Sequence, residues 1–401
     1  MQEKHFLKSS KIDKPLILVI DAGTTNLKVF LVDWKLNIID RVVSRLGKKF
    51  PKRNWVEQDP EKIFHVTVKL LRMILKRNKS RKASILGLGI ANQRETIIAW
   101  DRKTGKPIYP AIVWEDKRTR KSIRVLRKRI SAAQVKSRTG LDLIPYFSAS
   151  KMEWILKNVP KAISLFRRKR LALGTIDSWL IFKLTGGKSY FTDYTNASRT
   201  LLFNIKTLQW DEKLLSLFGI AKDILPKVKK SFSFFGKTQK NILSRSLPIL
   251  AILGDQQASL YAAGSESGTL KITYGTGIFI LQNIGKKFYI RDGLFTTLAS
   301  GPRNNVTYAL EGKISSCGEK VTPVLHNARK KKMIISQIAR DTDKVLRLFS
   351  KNYSCVVIDG GVSRAREIAQ DQSKISKVKV VKQKHFEGTA LGMAKLIFDN
   401  L

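Results

Sequence analysis

Residues 15–34, PLILVIDAGTTNLKVFLVDW, contain the pattern from which we first predict the fold. Residues 15–23 are a short apolar run that ends in Asp-Ala-Gly, which is typical of a buried strand entering a turn. Residues 26–34 alternate between apolar and polar side chains well enough to predict a second strand. The sequence therefore predicts a strand, a Gly-Thr-Thr turn and a further strand.

The segments that follow predict more strands and a helix. Residues 36–45, LNIIDRVVSR, and residues 83–92, ASILGLGIAN, each indicate a strand. Residues 59–77 begin with Asp-Pro, carry a Glu in the first turn and place apolar residues at helical spacing, so they predict a helix. Strands that alternate with helices predict an α/β domain.

A weaker echo of this pattern comes later in the chain. Residues 269–285 indicate a strand, a Gly-Thr-Gly turn and a strand, and residues 355–370 indicate a strand, a Gly-Gly turn and a helix. The echo predicts internal duplication of an α/β unit. Because residues 248–254 lie between the two patterns, we divide the chain into domains 1–250 and 251–401.

Composition excludes several classes of protein. The 401 residues include no apolar run long enough to span a bilayer. The N-terminus has no apolar core of a secretory signal. The two cysteines, Cys317 and Cys355, have no metal-ligand spacing and predict free thiols in a reducing compartment. We therefore expect a cytoplasmic protein. The sequence leaves the oligomeric state open, with a homo-oligomer as one alternative.

Net charge is the unusual property of this chain. Lys and Arg number 76 against 31 acidic residues, which gives a formal charge of +45. Such a field attracts polyanions, including nucleic acid and ATP. The basic residues are spread along the whole length, and no basic stripe interleaved with aromatics stands out. A compositional bias without a partner is therefore the favoured explanation, and functional attraction to polyanions is the alternative.

Three turns combine glycine with hydrogen-bond donors. In DAGTTN, residues 21–26, backbone N–H groups and the hydroxyls of Thr24 and Thr25 can donate to phosphate oxygens. Asp21 is a candidate Mg²⁺ ligand, acting through water, and Lys28 can reach an anion. YGTGIF at 274–279 and IDGGVS at 358–363 repeat this chemistry. Each turn alone is also typical of an ordinary loop, but three in this order are far more specific.

Asp255 follows the apolar run LPILAIL in the segment GDQQASL, residues 254–260. A Gly-Asp turn after a buried strand places a carboxylate where the strand ends. Aspartate after glycine is also a common turn or helix-capping residue. Asp255 is therefore a candidate site residue whose role depends on what faces it.

The order of these motifs resembles the FGGY carbohydrate kinases, and among them most closely the glycerol kinases. The motifs are Asp-x-Gly-Thr-Thr, Gly-Asp-Gln-Gln, Tyr-Gly-Thr-Gly and Asp-Gly-Gly. The resemblance implies two domains of the actin, Hsp70 and hexokinase type (ribonuclease H-like) flanking an interdomain cleft, with the second domain truncated. It extends nearly continuously through residues 15–320, and its longest segments are residues 87–119, 139–156, 174–187 and 191–215.

The resemblance implies ATP-dependent phosphorylation of glycerol to sn-glycerol 3-phosphate with Mg²⁺. Asp255 resembles the family's catalytic base and would share the metal with Asp21. Arg94 and Glu95 would bind glycerol hydroxyls, Tyr146 resembles the family's phenol at a polyol hydroxyl, and Gln256 stands beside the base. Trp114 and Phe279 would wall the carbon chain, with plain core packing as their alternative. The implied nucleotide contacts are Thr24, Thr25, Asn26, Lys28, Thr276, Gly318 and Gly361.

The sequence departs from the family in the nucleotide part. Lys28 stands in place of Arg, Thr322 in place of Gln and Ala365 in place of Asn. The family's Gly-Leu-Gly-Ala-Pro-Tyr-Trp segment has no counterpart, and residues 321–346 lead directly into a predicted helix. An alternative function is therefore a degenerate kinase-like protein that binds a polyol or a polyanion such as nucleic acid. A kinase of another polyol is a further alternative.

Overall fold

The predicted hairpin is present in the computed structural model of the chain. Strands Leu16–Ala22 and Asn26–Asp33 run antiparallel, and Ala22 lies opposite Leu27. The side chains of Leu18 and Ile20 are fully buried, as an apolar strand inside a sheet requires. The structure describes residues 14–275, 277–314, 328–383 and 386–401.

The described residues divide into two compact units. The first unit runs through Asp255 and also includes Met393–Leu401, whereas the second unit is Gln256–Gly392. The division therefore falls directly after Asp255, and the end of the chain returns to the first unit.

The described chain contains both strands and helices. The strands are Leu16–Ala22, Asn26–Asp33, Ile38–Arg45, Glu57–Gln58, Ile85–Asn92, Ile97–Asp101, Ala111–Ile112, Leu171–Thr175, Phe191–Asp193, Phe203–Asn204, Gln209–Trp210, Lys227–Lys229, Ile249–Gly254, Leu270–Tyr274, Ile278–Gly285, Phe295–Ser300, Val306–Ile314, Cys355–Asp359 and Lys379–Lys382. The α-helices are Pro60–Arg77, Arg120–Leu126, Ala132–Thr139, Ser148–Asn158, Pro160–Arg167, Ile176–Leu184, Tyr194–Ala197, Glu212–Phe218, Lys240–Leu243, Asp255–Ala263, Ala328–Leu346, Arg366–Ser376 and Gly388–Phe398. Short 3₁₀ helices are Lys79–Ser84, Lys222–Ile224, Pro302–Asn304 and Gly361–Arg364.

The first unit is built on a sheet of mixed direction. Its three parallel strands lie side by side, and two antiparallel strands extend it on one edge. Within the described residues the order across the sheet is Ile249–Gly254, Ile85–Asn92, Leu16–Ala22, Asn26–Asp33 and Ile38–Arg45. We call this the first sheet.

The second unit repeats that arrangement. Its first strand, Leu270–Tyr274, pairs in parallel with Cys355–Asp359 on one side. On the other side it pairs antiparallel with Ile278–Gly285, which in turn pairs antiparallel with Val306–Ile314. One further strand, Phe295–Ser300, covers the antiparallel edge. The repeat confirms the predicted echo of one α/β unit. In the described part of the chain the order is Phe295–Ser300, Val306–Ile314, Ile278–Gly285, Leu270–Tyr274, Cys355–Asp359 and Lys379–Lys382.

The helix predicted at residues 59–77 is present as Pro60–Arg77. Asp59 caps it, because its carboxylate accepts hydrogen bonds from the backbone N–H groups of Glu61 (2.9 Å) and Lys62 (3.3 Å). The apolar face of the helix packs on the first sheet, where Leu71 is fully buried in the same core as Ile20 and Trp179. No helix in the described residues is both long and apolar enough to cross a membrane.

Candidate active site

Three parallel strands of the first sheet end in one row. Ala22 pairs with Asn92, and Asn92 pairs with Gly254, so the next residues along each strand leave the sheet at the same edge. Ligands of α/β sheets bind at the carboxyl ends of parallel strands. The predicted turn at residues 21–26, Arg94 and Asp255 therefore all lie at this edge, within one unit.

Arg94 and Asp255 form an ion pair at this edge. Nε of Arg94 lies 3.4 Å from Oδ1 of Asp255, and the Arg94 side chain is 2% exposed while that of Asp255 is 27% exposed. Asp255 is also the first residue of helix Asp255–Ala263, where the backbone N–H groups favour a negative charge. The carboxylate is thus held from its buried side and is reachable by a small molecule.

Glu95 is held in an unusual backbone conformation. Its φ is +62°, a region that non-glycine residues rarely adopt and that surrounding contacts must hold in place. Arg199, which is fully buried, donates from Nε to Oε1 of Glu95 at 2.6 Å. The Ser148 hydroxyl donates to the Glu95 carbonyl at 3.3 Å. These contacts fix the side chain and the backbone of Glu95, the residue directly after Arg94.

Two half-buried aromatic rings flank these polar groups. The rings of Trp114 and Tyr146 meet edge to face with centroids 5.7 Å apart, and Nε1 of Trp114 donates to the Thr24 hydroxyl at 2.9 Å. Lys151 is fully buried and donates to the carbonyls of residues 145, 146 and 147. Lys151 therefore holds the backbone of the loop that carries Tyr146 through three hydrogen bonds.

The predicted phosphate turn is tied to the sheet through Gln93. The Thr24 hydroxyl donates to Oε1 of Gln93 at 3.1 Å, so its proton is directed into the protein. Thr25 is exposed, and Asn26 and Lys28 are partly exposed. Nζ of Lys28 lies 4.0 Å from Oδ2 of Asp21. A phosphate at this turn would meet Thr25, Lys28 and backbone N–H groups rather than the Thr24 hydroxyl.

The remaining predicted residues lie in the second unit. Oε1 of Gln256 accepts from the fully buried Lys271 ammonium at 3.1 Å, and that ammonium lies 3.6 Å from Oδ1 of Asp359. Phe279 is partly buried and packs against the small cluster that contains Leu260. Predicted residues Thr276 and Gly318, together with Thr322, lie outside the described residues.

The Gly-Gly turn of the second unit is present after strand Cys355–Asp359. Gly360 has a φ of +91°, and a Cβ there would stand 2.5 Å from the Tyr274 carbonyl oxygen. At Gly361, apart from its neighbours in the chain, no atom of the described residues lies within 4 Å of an added Cβ. The first glycine is therefore required by the fold, and the second presents open backbone.

Sequence reasoning missed four polar residues that hold predicted site residues in place. Gln93 ties the first turn to the sheet, Lys151 clamps the Tyr146 loop, and Arg199 and Lys271 hold Glu95 and Gln256. A signal exists for one of them, because Lys271 interrupts the apolar strand Leu270–Tyr274. Arg199 bonds a residue 104 positions away, so no local pattern marks it.

Comparison with known proteins places the chain in a family. A model of the N-terminal domain of the FGGY family of carbohydrate kinases matches residues 16–262. The chain is 35% identical to a glycerol kinase of Mycoplasmoides gallisepticum over 447 residues, covering 94% of this chain and 87% of the relative. It is 41% identical to a glycerol kinase of Leptospira biflexa over 337 residues, covering 83% of this chain and 67% of the relative.

Solved structures agree with these relatives. The structure of Plasmodium falciparum glycerol kinase with ADP matches with a TM-score of 0.89 and 31% identity, over 97% of this chain and 90% of the other. A xylulose kinase of Lactobacillus acidophilus matches with a TM-score of 0.83 at 19% identity, over 96% and 89% of the two chains, and so shares the fold. The predicted α/β fold class is confirmed. The chain belongs to the FGGY family of carbohydrate kinases.

Proposed function

We propose that the chain transfers the γ-phosphoryl group of ATP to glycerol, with Asp255 as the general base. The observation that carries the proposal is the ion pair between the buried Arg94 and the accessible Asp255 at the row of strand ends. Two relatives that cover 83% and 94% of the chain are glycerol kinases. Phosphoryl transfer to an alcohol requires a group that accepts the hydroxyl proton, positioning of both substrates and neutralisation of phosphate charge.

The base acts at a fixed place. Arg94 holds Oδ1 of Asp255 by charge, and the helix start holds the carboxylate at its N-terminal end. A glycerol hydroxyl within hydrogen-bond distance of this carboxylate gives up its proton as its oxygen bonds to the γ-phosphorus and ADP departs. Asp255 then carries the proton until the product leaves.

The glycerol site follows from the groups around this pair. The Arg94 guanidinium donates to neighbouring hydroxyls, and the Glu95 carboxylate, held by Arg199, accepts from one. The half-buried rings of Trp114 and Tyr146 cover the carbon chain, and the phenol adds a hydrogen bond. By resemblance, Gln256 and Phe279 complete the substrate contacts. A small site with several fixed polar groups rejects analogues that lack matching hydroxyls.

The nucleotide contacts are assigned by resemblance to the family. Thr25, Asn26, Lys28 and the backbone N–H of Thr24 are proposed for the phosphates, and Gly361 for the adenosine part. Among the residues described, no group of three or more His, Cys, Asp or Glu could hold a metal. Mg²⁺ with a nucleotide needs only one or two carboxylates besides phosphate and water, so the carboxylates of Asp21 and Asp255 fit it. Bound there, the ion would neutralise charge on the phosphates.

A binding protein without turnover is the second candidate. Two observations favour it: the formal charge of +45, and the departures from the family pattern at Lys28 and Ala365 in the nucleotide part. Such a protein would bind glycerol or nucleic acid and release no ADP. Filter binding to a random DNA duplex at physiological salt tests the nucleic-acid version, because counterion release weakens purely electrostatic binding steeply as salt rises.

Turnover and binding measured on the same preparations test the proposal. The wild-type protein is expected to release ADP only when both Mg-ATP and glycerol are present. Asp255→Asn is expected to abolish release while calorimetry still detects glycerol. Asp223→Asn is the matched control, because Asp223 is exposed and lies outside the site. Wild-type protein without turnover, or Asp255→Asn with turnover near that of the control, contradicts the proposal.

A further inference from the structure

A buried carboxylate lies behind both charged residues of the candidate site. Asp193 is fully buried at the end of strand Phe191–Asp193. Its oxygens accept from the backbone N–H and the hydroxyl of Thr195, at 3.0 and 2.7 Å, and from the Ser231 hydroxyl at 2.8 Å. They also accept from the backbone N–H and the side-chain amide of Asn196, at 3.0 and 2.9 Å. Donors therefore surround the carboxylate and fix it.

One arm of this cluster reaches the residue before the proposed base. The Thr195 hydroxyl gives its proton to Asp193 and accepts the backbone N–H of Gly254 at 2.8 Å. Gly254 is buried and is the last residue of its strand. A buried N–H without a partner is costly, so the Thr195 hydroxyl holds the backbone of Gly254, the residue directly before Asp255.

The other arm reaches the strand that leads to Arg94. The side-chain amides of Asn196 and Asn92 bond each other in both directions, at 2.9 and 3.1 Å. The Asn92 amide also donates to the carbonyl of Gln93 at 2.9 Å. All of these groups are buried. The backbone that carries Arg94 is therefore tied to the same carboxylate as the backbone that carries Asp255.

We propose that Asp193 acts with Thr195 and Asn196 as a positioning centre that sets Asp255 and Arg94 in register with each other. The kinetic part of this inference rests on the proposed function, whereas the link to Gly254 does not. A wholly structural role would lower stability and leave the chemistry per folded molecule unchanged. A positioning role lowers kcat, because a displacement of about 1 Å at the reacting groups costs about 100-fold.

The test removes one arm and keeps the fold. Thr195→Val deletes the acceptor of the Gly254 N–H, and Thr195→Ser restores a hydroxyl. The matched control is Thr67→Val, because Thr67 is also fully buried and its hydroxyl bonds only within helix Pro60–Arg77 among the described contacts. Should Thr195→Val not fold, Thr195→Cys replaces it, since a thiol fills the space and is a weak acceptor.

Two readouts separate this inference from the proposed function. Thr195→Val is expected to lower kcat about 10- to 100-fold with the glycerol KM within about threefold, and Thr195→Ser to recover most of the loss. Amide hydrogen exchange at Gly254 is expected to accelerate in Thr195→Val and to stay slow in Thr195→Ser and Thr67→Val. If kcat for Thr195→Val equals that of Thr67→Val, or if exchange at Gly254 is unchanged, the inference is overturned. A wild-type protein without turnover contradicts the proposed function. Hydrogen exchange at Gly254 then tests by itself whether Thr195 holds the Gly254 backbone.

Discussion

Nε of Arg94 lies 3.4 Å from Oδ1 of Asp255, although the two residues are 161 positions apart (255 − 94). The parallel register of their strands brings them together, because Asn92 and Gly254 are direct neighbours across the sheet. The pair joins a buried cation to an accessible carboxylate. Because of this geometry, we expect substitutions of Arg94 to change both glycerol binding and turnover.

Arg94→Lys is expected to weaken glycerol binding and slow turnover. A lysine keeps the charge but loses the planar set of donors that contacts two groups at once. We expect the glycerol KM to rise about 10-fold or more and kcat to fall, since each lost hydrogen bond to a charged group is worth about 1.5–3 kcal/mol. Steady-state kinetics with Arg120→Lys, at an exposed helix position, as control checks this. Equal kinetic constants for the two variants would contradict the assigned contacts.

Arg199→Met is expected to destabilise the protein more than Glu95→Gln combined with Arg199→Met. Arg199 and Glu95 are both buried, so removing one partner leaves an uncompensated charge, at a cost of about 3–5 kcal/mol in the free energy of unfolding. Neutralising both removes that penalty. Urea denaturation of the single and double variants measures the difference, and a double variant as unstable as the sum of the singles would show that the pair is not coupled.

Asp177→Asn is expected to remove a pH dependence of stability. Burial raises the pKa of Asp177 to about 7 from its ordinary 3.8, and Thr175 and Thr192 donate to its oxygens. The folded protein therefore binds a proton that the unfolded chain has already released. The free energy of unfolding then falls as pH rises from about 4 to about 7, by an amount on the order of 4 kcal/mol.

The difference between wild type and Asp177→Asn isolates this contribution. Burial also raises the pKa of neighbouring Asp193, which acts in the same direction but is present in both proteins. Urea denaturation of both proteins at intervals between pH 4 and pH 8 supplies the two curves. A difference between them that does not change with pH would contradict the buried, protonated carboxyl.

Gly360→Ala is expected to be far more harmful than Gly219→Ala. Both glycines have positive φ, +91° and +63°, so both substitutions strain the backbone. At Gly360 the new Cβ would also stand 2.5 Å from the Tyr274 carbonyl oxygen. At Gly219, apart from its neighbours in the chain, no atom of the described residues lies within 4 Å of the new Cβ. We expect Gly219→Ala to cost about 1 kcal/mol and Gly360→Ala clearly more. Thermal unfolding of the two variants makes the comparison, and equal melting temperatures would refute the close approach.

The sequence predicted those parts of the fold that local patterns specify. The apolar run before Asp21, the cap at Asp59 and the helix it begins are all present, since each depends on residues near in the chain. The turn of Gly360 was also predicted, because its glycines follow a short apolar strand.

Contacts between distant segments could not be predicted in this way. Arg199 was not recognised as the partner of Glu95, because only the folded chain brings a residue 104 positions away to it. The same holds for Lys271, whose buried ammonium bonds Gln256. The return of Met393–Leu401 to the first unit has no compositional mark either. The sequence predicted residues that are proposed to face the ligand, whereas the residues that hold them in place were found only in the structure.

Phosphorus-31 NMR of the purified protein with Mg-ATP and glycerol tests the central claim most directly, because it distinguishes transfer to the alcohol from transfer to water. We predict a glycerol 3-phosphate signal that grows in step with ADP, no growth without glycerol, and none with Asp255→Asn. ADP that forms with inorganic phosphate instead, or no change of the ATP signals in the wild-type protein, would contradict a kinase built around Arg94 and Asp255.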